Sequence, residues 1–312
     1  MSIERRIKRL PPVRRYLRTR RFARIQRETG ALVVDPPGNF SSPIPALNDV
    51  RARADEIFAC PDTLPGIDLR VAEQLALAKE LGRFADDQPF GDRARDGLRY
   101  GFDNRYFRWP DALVLHCLLR WARPKRLVEI GSGFSSAAIL DTNDLFLDGS
   151  MSCTFIEPHP SRLNQLLLRD DARRHEVIER PVQRVDLELF DALGPNDVLF
   201  VDSSHVAKVG SDVNRIMFDV LPRLRAGVLV HFHDIGWPFE YPREWIFEGR
   251  AWNEAYLVRA FLDYNDSFEI VFFNHYLSLF HQSEVASAMP LWAHEAGGSL
   301  WIRRSGAAES HE

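Results

Sequence analysis

The chain has 312 residues, 45% of them hydrophobic and 27% charged, with a formal net charge of −4. That length can bury one large core or two smaller ones, and the composition is that of a globular chain, which excludes disordered and collagen-like classes. Three scattered cysteines (Cys60, Cys117, Cys153) make neither a disulfide framework nor a zinc pattern, and no apolar run reaches the length of a membrane span.

Residues 1–27 hold eleven Lys or Arg and one acid, Glu4, a local charge of +10 that leaves −14 for the rest. No apolar stretch follows this basic segment as a signal peptide would need, so a cytoplasmic setting is expected. Residues 1–30 read as a basic arm. Ile3, Ile7 and Leu10 have helical spacing that Pro11-Pro12 ends early. Such an arm is solvated, docks on the acidic body, or touches an anionic membrane surface peripherally. Nucleic acid is not expected as a partner, because no aromatic stacking platform accompanies the charge.

Residues 31–105 read as a helical and loop extension on the substrate side. Residues 31–48 carry four prolines and a Pro-Gly turn, an extended loop that Phe40, Ile44 and Leu47 could anchor. Val50–Ala59 predicts a helix. Asp68 looks like the N-cap of a helix over Leu69–Phe84, with Val71, Leu75, Ala78 and Leu81 as its apolar stripe. An aromatic, turn-rich run from Tyr100 to Phe107 precedes a helix opened by Pro110 or Asp111 and stopped by Pro124.

From 126 onward strands and helices alternate. Strands are expected at 126–130, 152–156, 176–179, 197–201 and 227–232, and helices at 134–141, 160–170, 186–193 and 209–224. Short apolar strands in such alternation imply a parallel sheet covered on both faces, with ligands at the carboxyl edge of the strands. Trp252–Leu262 reads as a further helix, Phe268–Phe273 and Tyr276–Phe280 as strand-like, and Ser299–Arg303 as a last strand. Residues 305–312 form a polar tail.

The strand ends carry the chemistry. The first delivers Glu129 and the turn Gly131-Ser132-Gly133, where glycine lets a ligand approach the backbone at a helix start. The second delivers Glu157, an acid positioned to accept ribose hydroxyls. The fourth delivers Asp202, Ser203 and His205; the fifth His231, His233 and Asp234. A dinucleotide site wants a third glycine where Ser136 stands, and a phosphate-binding loop wants a Gly-Lys-Ser/Thr that is absent. Glu129 would face a phosphate badly. A ligand without phosphate and with a cationic end fits better, and S-adenosylmethionine is one.

Glu129-Ile-Gly-Ser-Gly, Phe155-Ile-Glu157, Val201-Asp-Ser-Ser-His205 and Gly227-Val-Leu-Val-His-Phe-His-Asp234 together resemble the successive motifs of class I S-adenosylmethionine-dependent methyltransferases. The resemblance covers about residues 100–304 and is closest to a bacterial branch whose fourth strand ends Asp-x-x-His and whose fifth ends His-Asp-Ile. It implies a Rossmann-like, doubly wound α/β domain over residues 106–304. The sheet would be seven-stranded and mostly parallel, with an antiparallel C-terminal strand. It further implies that Glu129 and Gly131 to Gly133 hold the methionine end, Glu157 the ribose, Gln183 or Asp186 the adenine side, and that Asp202 sits beside the sulfonium.

The expected activity is O-methylation of a small molecule or glycan hydroxyl, with His205 as base and His233 and Asp234 as further catalytic candidates. Asp202 and Asp234 are the candidate ligands should a divalent metal be used. A metal-dependent hydroxylase or lyase built on His205, His231, His233 and Asp234 is the rival enzyme reading, and a binding scaffold working through residues 1–27 the non-catalytic one. His116 and His231 also read as core histidines. Trp237–Trp245 is too aromatic for a solvated loop and reads as a substrate-side lid.

Overall fold

The structure is a computed structural model that describes residues 34–306 together with Tyr16, Arg20, Arg24 and Glu28. The rest of the basic arm and the tail beyond Gly306 lie outside the described residues. Contacts divide the chain into residues 1–57 and 58–312. In the first unit the proline-rich loop is folded by backbone turns, among them Gly38 N–H to Ile44 O at 2.9 Å. It is not held by apolar packing: Phe40, expected as an anchor, is 99% exposed. The predicted helix appears as two short ones, α1 (Leu47–Ala52) and α2 (Ala54–Ile57).

The second unit is built on a seven-stranded sheet of order β3-β2-β1-β4-β5-β7-β6. Its strands are β1 (Arg126–Ile130), β2 (Ser152–Ile156), β3 (Glu176–Ile178), β4 (Val198–Val201), β5 (Leu229–Phe232), β6 (Phe268–Phe273) and β7 (Leu300–Arg304). The first five run parallel, and β7 is antiparallel to both β5 and β6. The cause is visible in burial. Every residue of β4 and β5 is buried, which suits strands covered on both faces. From β1 the chain winds outward through β2 and β3, then returns to β4 on the other side. The switch point therefore lies between the ends of β1 and β4.

Two helices precede the sheet, α3 (Val71–Ala85) and α4 (Trp109–Ala122). Asp68 does not cap α3. Its Oδ1 accepts from Arg70 N–H at 3.0 Å, and Arg70 itself, in left-handed backbone (φ 48°), is the N-cap. The helix after β1 is α5 (Phe134–Phe146), five residues longer than the sequence suggests. Tyr276–Phe280 is helical, within α6 (Asn274–Phe280), and not a strand. Its aromatic content mimics a strand, but Asn274 takes the chain off the sheet: its N–H donates to Ser299 O (3.0 Å) and its side chain to Asp111 Oδ1 (2.7 Å).

A buried charge cluster fixes the aromatic turn before α4. The Arg99 guanidinium reaches Asp141 (2.7 Å), Asp144 (2.8 Å) and Asp171 (2.5 Å), so three carboxylates compensate one buried cation. Asn104 then closes the turn, its Oδ1 accepting from Tyr106 and Phe107 N–H and its Nδ2 donating to Phe107 O. Tyr100 O–H donates to the same carbonyl at 2.7 Å. Arg105 and Tyr106 are thereby presented outward from a rigid turn.

Candidate active site

At the switch point the first requirement is steric. Gly131 has φ +83°, and a Cβ there would overlap the Asp202 carbonyl oxygen, so the ends of β1 and β4 close up only with glycine. The turn is pinned to its neighbour by Gly131 N–H to Ile156 O at 3.0 Å. Glu157 is held by amides: Ser132 N–H donates to Oε2 (3.2 Å) and His159 N–H to Oε1 (2.8 Å). Such donors keep a carboxylate aimed.

Gly131, Glu157, Gln183, Asp202, Ser203, Lys208 and Asp212 line a cleft of about 400 Å³. Gln183 Nε2 donates to Gly210 O at 2.9 Å, and the Ser203 hydroxyl is buried with no partner. Three predicted cofactor residues are absent from this wall. Glu129 is fully buried behind the turn, its oxygens taken by the Ser135 and Ser136 hydroxyls, and burial pushes its carboxyl up to about 8. Ser132 and Gly133 contribute backbone to the turn, Gly133 as the N-cap of α5 with its N–H on Ser136 Oγ.

Next to the cleft the ends of β4 and β5 bring charged side chains together. His205 is 5% exposed; its Nδ1 lies 2.8 Å from Glu254 Oε2, and its Nε2 lies 3.3 Å from Asp202 and 3.7 Å from Asp234. Burial alone would push this imidazole down, but the Asp202 and Glu254 carboxylates overcome it and raise it to about 10. His233, 4% exposed, has Nδ1 3.3 Å from Asp234 and 4.0 Å from Asp202, and Nε2 3.8 Å from Asp111. Burial opposes its charge too, and Asp234 and Asp202 raise it to about 10. Neither of its ring nitrogens has a hydrogen-bond partner. His205 and Asp234 both sit in left-handed backbone, at φ 58° and 57°, strain of the kind found at functional sites.

A second cavity of about 600 Å³ opens beyond His233 and Asp234. Its wall includes Tyr106, Asp111, Trp237, Glu240, Arg243 and Trp245. The segment expected as a lid thus has two faces. Phe239 is buried away from the cavity, Trp237 and Tyr241 are buried with an edge on it, Trp237 Nε1 donating to Pro61 O at 2.6 Å, and Pro238, Glu240, Pro242 and Trp245 face it.

Residues 128–235 match the methyltransferase domain family. An uncharacterized protein of Archaeoglobus fulgidus is 37% identical over 179 residues, spanning 55% of this chain and 78% of that one. The chain carries a methyltransferase domain over the matched residues. Among solved structures it is similar to the methyltransferase PaMTH1 of Podospora anserina bound to SAH, at 17% identity and TM-score 0.42, covering 88% of this chain and 100% of that one. It is similar also to the O-methyltransferase TomG of Streptomyces achromogenes in complex with SAM, at 17% identity and TM-score 0.41, covering 83% and 96%.

The cleft of this methyltransferase fits its cofactor chemically. Three carboxylates (Glu157, Asp202, Asp212) face it against a single Lys208, which suits a cation with free hydroxyls and not a polyphosphate. The residues do not fit a metal in the same way. The His205 imidazole lies within ion-pair reach of both Asp202 and Asp234, and among the described residues no three His, Cys, Asp or Glu stand as a ligand set. His231, needed by the hydroxylase or lyase reading, is turned into the core. Its Nε2 meets Ser299 Oγ at 2.8 Å and its ring stacks on Phe200 at 3.8 Å. Its charge is suppressed by burial. His116 is likewise core, bonded to Thr142 at 2.9 Å.

Two site residues escape the sequence reading. Asp111 reads there only as a helix-opening residue, yet it accepts from Asn274, Gly298 and Ser299 beside His233. Glu254 carries no signal at all. Its approach to His205 depends on the chain between 205 and 254 folding back, where Asn253 and Glu254 N–H both donate to His205 O (3.0 and 3.2 Å).

Proposed function

We propose that this methyltransferase transfers the methyl group of S-adenosylmethionine to a hydroxyl oxygen of a small molecule or glycan bound in the larger cavity. One observation carries the reading: His233 and Asp234 line that cavity with both imidazole nitrogens unsatisfied, and Asp202, 4.0 Å from His233, lines the cofactor cleft. When bound, S-adenosylmethionine supplies an electrophilic methyl on a sulfonium that is its own leaving group. Glu157 would accept the ribose hydroxyls, Gln183 would stand on the adenine side, and Asp202 and Ser203 would hold the reacting end. His233 takes the hydroxyl proton as the O–C bond forms and the S–C bond breaks, with Asp234 fixing the ring.

His205 suits a different task from the expected one. It lines neither cavity, and carboxylates face both its nitrogens, so it acts as a charged strut that positions Asp202 and Asp234. His233 also carries a proton at neutral pH while Asp202 and Asp234 hold it. Positive charge bound in the cofactor cleft competes for Asp202 and moves the imidazole back toward neutrality.

The test combines calorimetry with product analysis. Glu157→Ala should weaken S-adenosylmethionine binding about tenfold or more, since a charged hydrogen-bond partner is lost; unchanged affinity sinks the cofactor assignment. Labelled methyl transferred from wild-type enzyme to a panel of hydroxy compounds should appear on oxygen. Transfer only to nitrogen or carbon overturns the acceptor reading.

A further inference from the structure

Resting on that reading of the larger cavity, we propose that its acceptor carries an anionic group, a carboxylate or a phosphate, beside a flat body that stacks on aromatic rings. The argument starts from the charges on the wall. The acids there are already engaged: Glu295 with Arg108 at 3.1 Å, Asp234 with His233 at 3.3 Å, Asp111 with Asn274 and the amides of Gly298 and Ser299, and Glu240 with Tyr256 O–H at 2.6 Å. Arg105 and Arg243 line the same cavity, and among the described residues no carboxylate comes within 4.0 Å of either. Two guanidiniums at this wall have no carboxylate partner among the described residues, while each acid there already has its own partner.

Arg105 starts from a fixed backbone, and Arg243 lies near two aromatic rings. Arg105 belongs to the turn that Asn104 and the Arg99 cluster make rigid. The Arg243 guanidinium lies 6.0 Å from the Phe58 ring and 5.7 Å from the Phe247 ring. A planar guanidinium fork is the usual receptor for a carboxylate or phosphate. The flat body follows from Tyr106 and Trp245 on the same wall; the Tyr106 ring is itself backed by Phe134 at 5.9 Å, nearly parallel. A cavity of about 600 Å³ takes a molecule with room for both features.

Matched probe pairs test this on the full chain saturated with S-adenosylhomocysteine: 4-hydroxybenzoate against its methyl ester, and phenyl phosphate against phenol, with binding read by ligand-observed NMR. The charged member of at least one pair should bind about tenfold or more tightly than its neutral partner, and added salt should narrow the gap. Whichever charged member shows the larger preference identifies carboxylate or phosphate. Arg105→Gln and Arg243→Gln should each reduce the preference and together abolish it, with melting temperature and S-adenosylhomocysteine affinity unchanged. Equal binding of charged and neutral members overturns the proposal, as does a preference that survives the double variant, or no binding by any probe. Failure of S-adenosylhomocysteine itself to bind is a separate result and removes the cofactor reading instead.

Discussion

The two halves of the proposed site are built from different materials. The cofactor side is mostly backbone: a glycine turn with positive φ, amides that grip Glu157, and strand ends in register. The acceptor side is mostly side chains from distant segments, with Asp111 from a helix start, Glu254 from beyond the lid, and Arg105 from a turn before the sheet. The first can hold any ligand of the right outline at the switch point, whereas the second decides what reacts. Substitutions on the two sides should therefore fail differently, one in binding or folding and the other in turnover.

The largest effect is expected at His233. Replacing it with Gln keeps a similar volume and removes the proton acceptor, so kcat should fall about 10² to 10⁴-fold while S-adenosylmethionine affinity stays within about twofold. Steady-state kinetics beside calorimetry checks this. An equal loss of cofactor affinity would place His233 on the other half and erase the contrast. The pH profile adds a second reading: with S-adenosylmethionine saturating, kcat/KM for the acceptor should climb with pH as His233 loses its proton and level off below the value near 10 that Asp234 and Asp202 impose without cofactor.

Next comes Gly131→Ala, which attacks the backbone half. The methyl group would meet the Asp202 carbonyl and the residue would have to hold φ +83°. A destabilisation of about 3 kcal/mol or more is expected, with weaker cofactor binding in whatever fraction folds. Denaturant unfolding measures the first and calorimetry the second. A variant as stable as wild type would mean that the turn has slack.

That same division explains what could be read from the chain beforehand. Local rules place β1 and β2 to the residue, because a short apolar run followed by glycine or by an acid and proline leaves little freedom. The strand-end residues Glu157, Asp202, His233 and Asp234 follow from the same pattern, and the antiparallel last strand from the family resemblance. Tyr276–Phe280 fails because an aromatic run does not reveal that Asn274 turns out of the sheet. Glu129 is misread in role: the glycines beside it suggest a ligand, and only the fold shows the Ser135 and Ser136 hydroxyls closing over it. Glu254 and Asp111 could not be found, since their partners lie 49 residues away (His205) and 163 residues away (Asn274).

The charged cluster offers a finer comparison through pH. Both His205 and His233 are held near 10, above the unfolded value of about 6.5. Their ion pairs therefore stabilise the fold fully below pH 6.5 and progressively less as pH rises through 10. Urea midpoints should fall from pH 7 to pH 10. Glu254→Gln should cost about 2 kcal/mol at pH 7 and flatten that decline, because it lowers the hold on His205 alone. An unaltered slope would mean that Asp202 and Asp234 suffice.

The smallest effect is expected at Ser203, and it separates ligand contact from folding most cleanly. Its hydroxyl is buried at the cofactor cleft and bonds to nothing in the protein. Removing an unsatisfied buried hydroxyl relieves a desolvation cost, so Ser203→Ala should leave stability unchanged or slightly raised. If the hydroxyl exists for the ligand, S-adenosylmethionine affinity should drop by about threefold to tenfold in the same variant. A gain in stability joined to a loss in affinity marks a residue kept for binding. A stability gain with affinity untouched would instead confine the cofactor contacts to Glu157, Gln183 and Asp202, and shorten the backbone-built half by one residue.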